Sequence, residues 1–207
     1  MPSRAPRQTR SRALAVVALA SLSVALGGCG GGSSSPSSSS SGDADSGGAQ
    51  TVASTVTLGR VAGDLHQPNK RIFAHHRRQL LDQVGHAVGT WIDGGFVGVS
   101  YPRDSFDAAF SAFTGPAAKE AQHQQQLMTN WDLRQQIDGV KVTKRSVKVD
   151  VLAPHGRPAG ATARVALVFT TTGDVTKRVT VHGRLFLSPD DSGDWKIFGF
   201  DVAKGGQ

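Results

Sequence analysis

Apolar positions recur along this chain with two periods, and the change from one to the other falls near Gly139. Between Asn69 and Ile92, the residues Phe73, Leu80, Leu81, Val84, Ala87, Val88 and Trp91 share one side of a helix wound at about 100° per residue. His75, Arg78, Gln79, Asp82 and His86 take the other side, so the segment predicts an amphipathic helix that buries one face. Gly94-Gly95 follows, and because glycine adopts the helix-ending conformations that other residues avoid, the helix is expected to stop there. Asp104 is placed to cap a second, shorter helix bearing Phe106, Ala109, Phe110 and Phe113. Gly115-Pro116 breaks it and starts a third, which runs through Ala117 to about Met128 and carries Gln122 to Gln126 as a solvated face.

From Gly139 onward the period is two. Val147, Val149 and Val151 alternate with Lys148 and Asp150; Ala163, Val165, Leu167 and Phe169 alternate with Arg164 and its neighbours; Val179, Val181, Leu185 and Leu187 alternate with Thr180, His182 and Arg184. Val140 and Val142 are out of phase with the valines from Val147 to Val151, which predicts a bulge or bend near Lys144-Arg145. The last run, Trp195 to Val202, is apolar at both parities: Trp195 and Ile197 on one face, Phe198, Phe200 and Val202 on the other. It therefore reads as a central strand. Turn chemistry at Pro154 to Gly160, Gly173-Asp174 and Ser188 to Asp194 joins these runs into an antiparallel meander. Thr51 to Leu58 fits a short strand or an extended lead-in through Val52, Val56 and Leu58. Helices first and strands afterwards is an α+β order: N-terminal helices packed on a curved antiparallel sheet of about four strands.

The chain before Thr51 follows neither period. Arg4, Arg7, Arg10 and Arg12 precede an uncharged stretch from Ala13 to Leu26, which is shorter than the roughly 20 apolar residues of a spanning helix and ends in glycines. Then comes Leu26-Gly27-Gly28-Cys29, with an apolar residue three before the cysteine and small residues between. This segment resembles the lipobox of bacterial lipoprotein precursors. The resemblance implies cleavage between Gly28 and Cys29 and a diacylglyceryl group on the Cys29 thiol. Gly30 to Gly48, dominated by Gly and Ser, cannot bury enough apolar area to offset the entropy of ordering and reads as a disordered tether with a reach of roughly 25 Å. The expected organisation is a signal peptide over 1–28, a lipidated cysteine and tether over 29–50, and a single α+β domain over 51–207.

Charge then reads differently. The whole chain has 23 Lys and Arg against 16 Asp and Glu, but the four leader arginines leave with the signal peptide and the mature chain is only +3. That excess, averaged over a domain, does not announce a nucleic-acid partner. His75, His76, Arg77 and Arg78 form a local basic cluster whose ordinary reading is a solvated helix face and whose alternative is contact with a membrane or polyanion. Cys29 is the only cysteine, so neither a disulfide framework nor a thiolate metal site is expected in the domain.

The seven histidines do not make a metal motif. His75 and His76 are adjacent, which points them apart on a helix, and His86 sits at helical spacing from Asp82 as an ordinary surface pair. Asp190 to Asp194 lacks the alternate-ligand spacing of a calcium loop and reads as a polar hairpin. No Gly-x-Ser-x-Gly elbow and no cysteine nucleophile is available for acyl chemistry. Neither a metal nor another cofactor is expected, and no catalytic residue is named.

The order of elements, closed by Asp194-Trp195-Lys196-Ile197 through Val202, looks like the nuclear transport factor 2-like superfamily over about Thr51 to Lys204, especially its bacterial extracytoplasmic members associated with lipid transport. That resemblance implies a cone between helices and sheet, serving as a ligand pocket, an enzyme site or only a core, and it allows a homodimer. Tyr101 is the only tyrosine and Glu120 the only glutamate, so the steroid-isomerase arrangement cannot be assembled, whereas Tyr101, Asp150, His182 and Asp201 are the pocket candidates. Arg77 joins them because it falls within the apolar helical stripe, where a guanidinium must snorkel outward or face the cone, held by Asp150 or Asp201 or free for an anionic ligand. The expected function is a lipid-anchored, non-catalytic module on the outer face of the cytoplasmic membrane (or at the outer membrane of a two-membrane host). It would bind an envelope protein or a small apolar or anionic ligand. The alternative is a cone-pocket lyase or isomerase of the polyketide cyclase-like type.

Overall fold

The structure, a computed structural model, describes residues 52, 54–63, 74–98 and 100–206, with the side chains of Ala74 and His75 left aside. All of these fall within one compact unit. Gly28, Cys29, the Gly/Ser run and Phe73 lie outside the described residues.

Among the described residues the elements are β1 (Thr55–Ala62), α1 (Ala74–Ile92), a π-helical turn (Asp93–Val97), a short 3₁₀ turn (Asp107–Phe110), α2 (Gly115–His123), α3 (Gln125–Met128), a second 3₁₀ turn (Trp131–Leu133), β2 (Gly139–Leu152), a third 3₁₀ turn (Pro154–Gly156), β3 (Gly160–Thr172), β4 (Arg178–Pro189) and β5 (Trp195–Gly206). The strands form one sheet in the order β1-β2-β3-β4-β5, with β2 to β5 an antiparallel meander and β1 parallel to β2. The α+β class and the meander are as expected. The count of about four strands is corrected to five among the described residues, and the first element is a strand, ahead of the helices. The sequence left Thr51 to Leu58 open between a short strand and an extended lead-in, because the apolar parity of β1 breaks. Val56 and Leu58 face inward, a bulge takes up Gly59-Arg60, and Val61 faces inward again.

A bulge of the same kind corrects the reading of the last strand. β5 is an edge, not a centre. Phe186 pairs with Gly199 and Leu187 with Ile197, so Phe198 is the extra residue. Trp195 and Ile197 before it, and Phe200 and Val202 after it, therefore face the same side, and the two apolar faces of the sequence are one face interrupted once. The expected irregularity in β2 is present: the register shifts between Val142 and Lys144, which brings Val140, Val142, Val147, Val149 and Val151 to one buried face.

The helical layer covers that face. Leu80, Val84, Ala87, Val88 and Trp91 of α1 are buried as the stripe requires. Gly94-Gly95 does not end the helix through a left-handed turn; the chain continues past Ile92 into the π-helical turn, and neither glycine has a positive φ. Their reason is proximity: a Cβ on Gly94 would lie 2.7 Å from the Ala109 Cα, and one on Gly95 would lie 3.0 Å from the Met128 carbonyl oxygen. Asp104 is not the cap of the following turn. It accepts a hydrogen bond from Gln135, while the Ser105 hydroxyl accepts from the Asp107 backbone N–H. Phe106, Ala109, Phe110 and Phe113 are buried as expected, and Gly115-Pro116 does open α2.

Candidate functional site

The first question is whether the space between α1 and the sheet is open. From the helical side Leu80, Val84, Val88, Trp91 and Phe96 enter it, and from the sheet Val149, Val165, Leu167, Phe169, Val181 and Leu185; all are at most 4% exposed. Trp91 stacks edge-on against Phe96 at 5.5 Å between ring centroids, and Phe96 meets Phe169 at 6.1 Å. The Trp91 indole N–H donates to the Met128 carbonyl at 3.0 Å. This is close-packed core.

The sequence-predicted pocket residues do not converge there. Asp150, His182 and Asp201 lie on the opposite face of the sheet, since the register pairs them with Thr162, Ala166 and Arg184, whose neighbours along each strand face the core. Arg77 is exposed, because α1 buries its stripe only from Leu80 onward. Its two candidate partners are engaged elsewhere: Asp150 by Arg164 and Asp201 by Arg184. Tyr101 packs at the margin of the core. Its hydroxyl donates to the Phe96 carbonyl at 3.2 Å and accepts from the Asn130 amide at 3.0 Å, and burial holds its pKa above the ordinary tyrosine value. Both hydrogen-bonding roles of that hydroxyl are used in closing the loop.

Two charged groups of the interior were missed by sequence reasoning. Arg145, at 8% exposure, is the buried cation that Arg77 was expected to be, and it forms a two-pronged ion pair with Asp93 of the π-helical turn at 2.5 and 2.9 Å. It faces inward because the bulge before Lys144 shifts parity by one, placing Arg145 opposite Leu167. Lys204, near the end of β5, donates from Nζ to the carbonyls of Gln126 at 2.9 Å and Thr129 at 2.8 Å, and to Asp132. It thereby satisfies carbonyls at the C-terminus of α3, as cations do at helix ends, and burial lowers its pKa.

A concavity lies on the outer face of the sheet, away from the helices. A groove of about 690 Å³ runs over the end where β1, β2 and β4 finish and β3 and β5 begin, with Leu152, Phe186 and Phe198 as its apolar lining and Arg60, Asp150 and Ser188 as polar groups. Leu152 and Phe198 are 51% and 54% exposed, and Phe198 tilts against Phe186 at 6.4 Å. Asp150 anchors this end: it accepts from the Arg60 backbone N–H at 2.8 Å and pairs with Arg164, and these contacts, the backbone bond foremost, hold its carboxyl below the ordinary aspartate pKa. A carboxylate with a depressed folded-state pKa contributes stability above its unfolded pKa of about 4, and loses it as pH falls toward the folded value. Wild-type protein should therefore lose stability over this acid range more steeply than Asp150→Asn; parallel urea midpoints from pH 6 to pH 2 for the two proteins would contradict that role.

Among the described residues no cluster of three His, Cys, Asp or Glu residues is positioned to share a metal ion, and no helix is long and apolar enough to cross a membrane. Comparisons with protein-family models, curated proteins and solved structures yield no match.

Proposed function

We infer that this chain is a membrane-anchored extracytoplasmic lipoprotein whose domain is a non-catalytic binding or interaction module of the cell envelope. The observation that carries the non-catalytic half is the filled interior. An acid–base enzyme of the cone type needs a solvent-reachable titratable group among convergent polar groups, and here that volume holds aromatic and aliphatic side chains with Asp150, His182 and Asp201 on the other side of the sheet. No observation favours the lyase or isomerase alternative. The anchor half rests on Leu26-Gly27-Gly28-Cys29 after a basic, then uncharged, leader, and on the Gly/Ser run that separates it from β1. We retain the nuclear transport factor 2-like resemblance as a proposal that rests on the helices-then-meander order read from the sequence; β1, ahead of the helices, is not part of that order.

Two acyl chains on Cys29, at about 0.8 kcal/mol per buried methylene, would hold the protein firmly on a bilayer. Wild-type protein expressed in a bacterial host should fractionate with membranes and yield a mature chain whose first residue, Cys29, carries the added lipid mass. Cys29→Ala should lose that mass. An unmodified Cys29 in membrane-associated wild-type protein, or an unchanged lipid-bearing product from the variant, would contradict the anchor.

A further inference from the structure

The outer face of the sheet gathers the excess charge of the described residues. Strand registers place Lys141, Lys144, Lys148, Arg164, Arg178 and Arg184 on this face, all of them exposed, against two carboxylates, Asp150 and Asp201. Lys148, Arg164 and Arg184 stand directly opposite one another on three neighbouring strands. Like charges in that position destabilise a sheet, and two of the three are relieved, Arg164 by Asp150 and Arg184 by Asp201. Among the described residues 17 Lys and Arg stand against 13 Asp and Glu; with these six cations and two acids set aside, 11 remain against 11, so the excess charge of the described residues lies on this face. A net charge that looks diffuse along the sequence is in fact concentrated on one surface. Next to the cationic row, at the groove, Leu152 and Phe198 stand more than half exposed.

We propose that the outer face of the sheet docks on an anionic lipid surface, with Leu152 and Phe198 entering the headgroup boundary and the Lys148, Arg164 and Arg184 row lying against the lipid phosphates. This deepens the anchored-lipoprotein reading and rests on it for the location of the membrane. Three observations select this occupant. A second copy of the same face would oppose cation to cation. Exposed apolar side chains beside a basic surface are the combination that binding at a membrane interface requires, hydrophobic insertion adding to attraction for anionic headgroups. And the Gly/Ser-rich composition of the 25 residues between Cys29 and Thr55, read from the sequence as a tether, would allow a reach of about 25–30 Å, within which docking would be effectively intramolecular. The basic cluster on α1, which the sequence offered for such contact, is on the helical side and is not needed.

The test uses the unlipidated chain beginning at Gly30, which retains every described residue, so that the acyl anchor contributes nothing. Its fold is checked first by a cooperative thermal transition. Co-sedimentation is then measured with phosphatidylglycerol-containing vesicles and with vesicles of phosphatidylcholine alone. Binding to the anionic vesicles only, weakened by 0.5 M salt on the order of a Debye length of 4 Å, is the expected result. Lys144→Glu/Lys148→Glu should weaken it more than tenfold, and Leu152→Ser/Phe198→Ser should weaken it without abolishing its salt dependence. Equal partition onto both vesicles, no binding to either, or indifference to the charge reversal would overturn the proposal. So would binding to duplex DNA or heparin that exceeds vesicle binding and ignores Leu152→Ser/Phe198→Ser, which would assign the face to a soluble polyanion. Because Cys29 is absent from the experiment, these failures leave the anchor standing, and the mass of the mature N-terminus decides that point separately.

Discussion

Asp93→Ala is expected to cost about 3 kcal/mol of unfolding free energy, and Arg145→Leu only about 1 kcal/mol, although the two changes delete the same ion pair. The asymmetry follows from where each charge is left. The Arg145 side chain is 7% exposed and that of Asp93 is 45% exposed. Removing the carboxylate strands a guanidinium in the core, where its Nε already has no hydrogen-bond partner. Removing the guanidinium returns Asp93 to water and lets leucine pack among β2, β3 and the end of α1, which is the setting in which an apolar replacement for a buried ion pair is tolerated. Denaturant midpoints for the two variants give the comparison directly. Equal losses would mean that the pair acts as a surface bridge, and a larger loss for Arg145→Leu would mean that the carboxylate is the buried member.

The sequence reveals the buried face of each strand wherever the alternation runs unbroken. Val147, Val149 and Val151, or Ala163 to Phe169, could be assigned to the core because a strand buried on one face cannot slip by a single residue without exposing all of it. What was not legible lies at the three bulges, of which the sequence announced only the one in β2, and not its effect on Arg145. At Gly59-Arg60 the break hid the second half of β1. Before Lys144 it disguised Arg145 as a residue of a bend. At Phe198 it turned one apolar face into two and an edge strand into an apparent centre. Helical periodicity failed in a different way at Arg77. The wheel places it correctly in the stripe, but among the described residues the buried part of the stripe begins at Leu80. Gly94-Gly95 shows that a glycine pair past an apolar stripe can answer to crowding by a neighbouring backbone as well as to helix termination.

The candidate surface was the least legible part. Lys148, Arg164 and Arg184 are sixteen and twenty residues apart in the chain and become neighbours only through strand register, which depends on turn lengths and bulges that composition does not encode. Averaging charge over the domain concealed the polarity entirely. Asp150, His182 and Asp201 were recognised as strand residues worth following; it was the face they occupy that needed the structure.

The proposed function requires the interior to be core, and Phe169→Ala probes that most directly. Phe169 is on the core-facing side of β3, the central strand, fully buried and in ring contact with Phe96. In a close-packed core, deleting the ring leaves a cavity that the surroundings only partly fill, and the expected loss is about 3–5 kcal/mol in denaturant unfolding of the folded chain. Were the space between α1 and the sheet a wet ligand pocket, Phe169 would be part of its wall, and the same truncation would merely enlarge a cavity that already exists. A loss of about 3 kcal/mol or more is the predicted result; a loss below about 1 kcal/mol, in the range of ordinary surface substitutions, would contradict the filled interior and reopen the case for a site inside the fold.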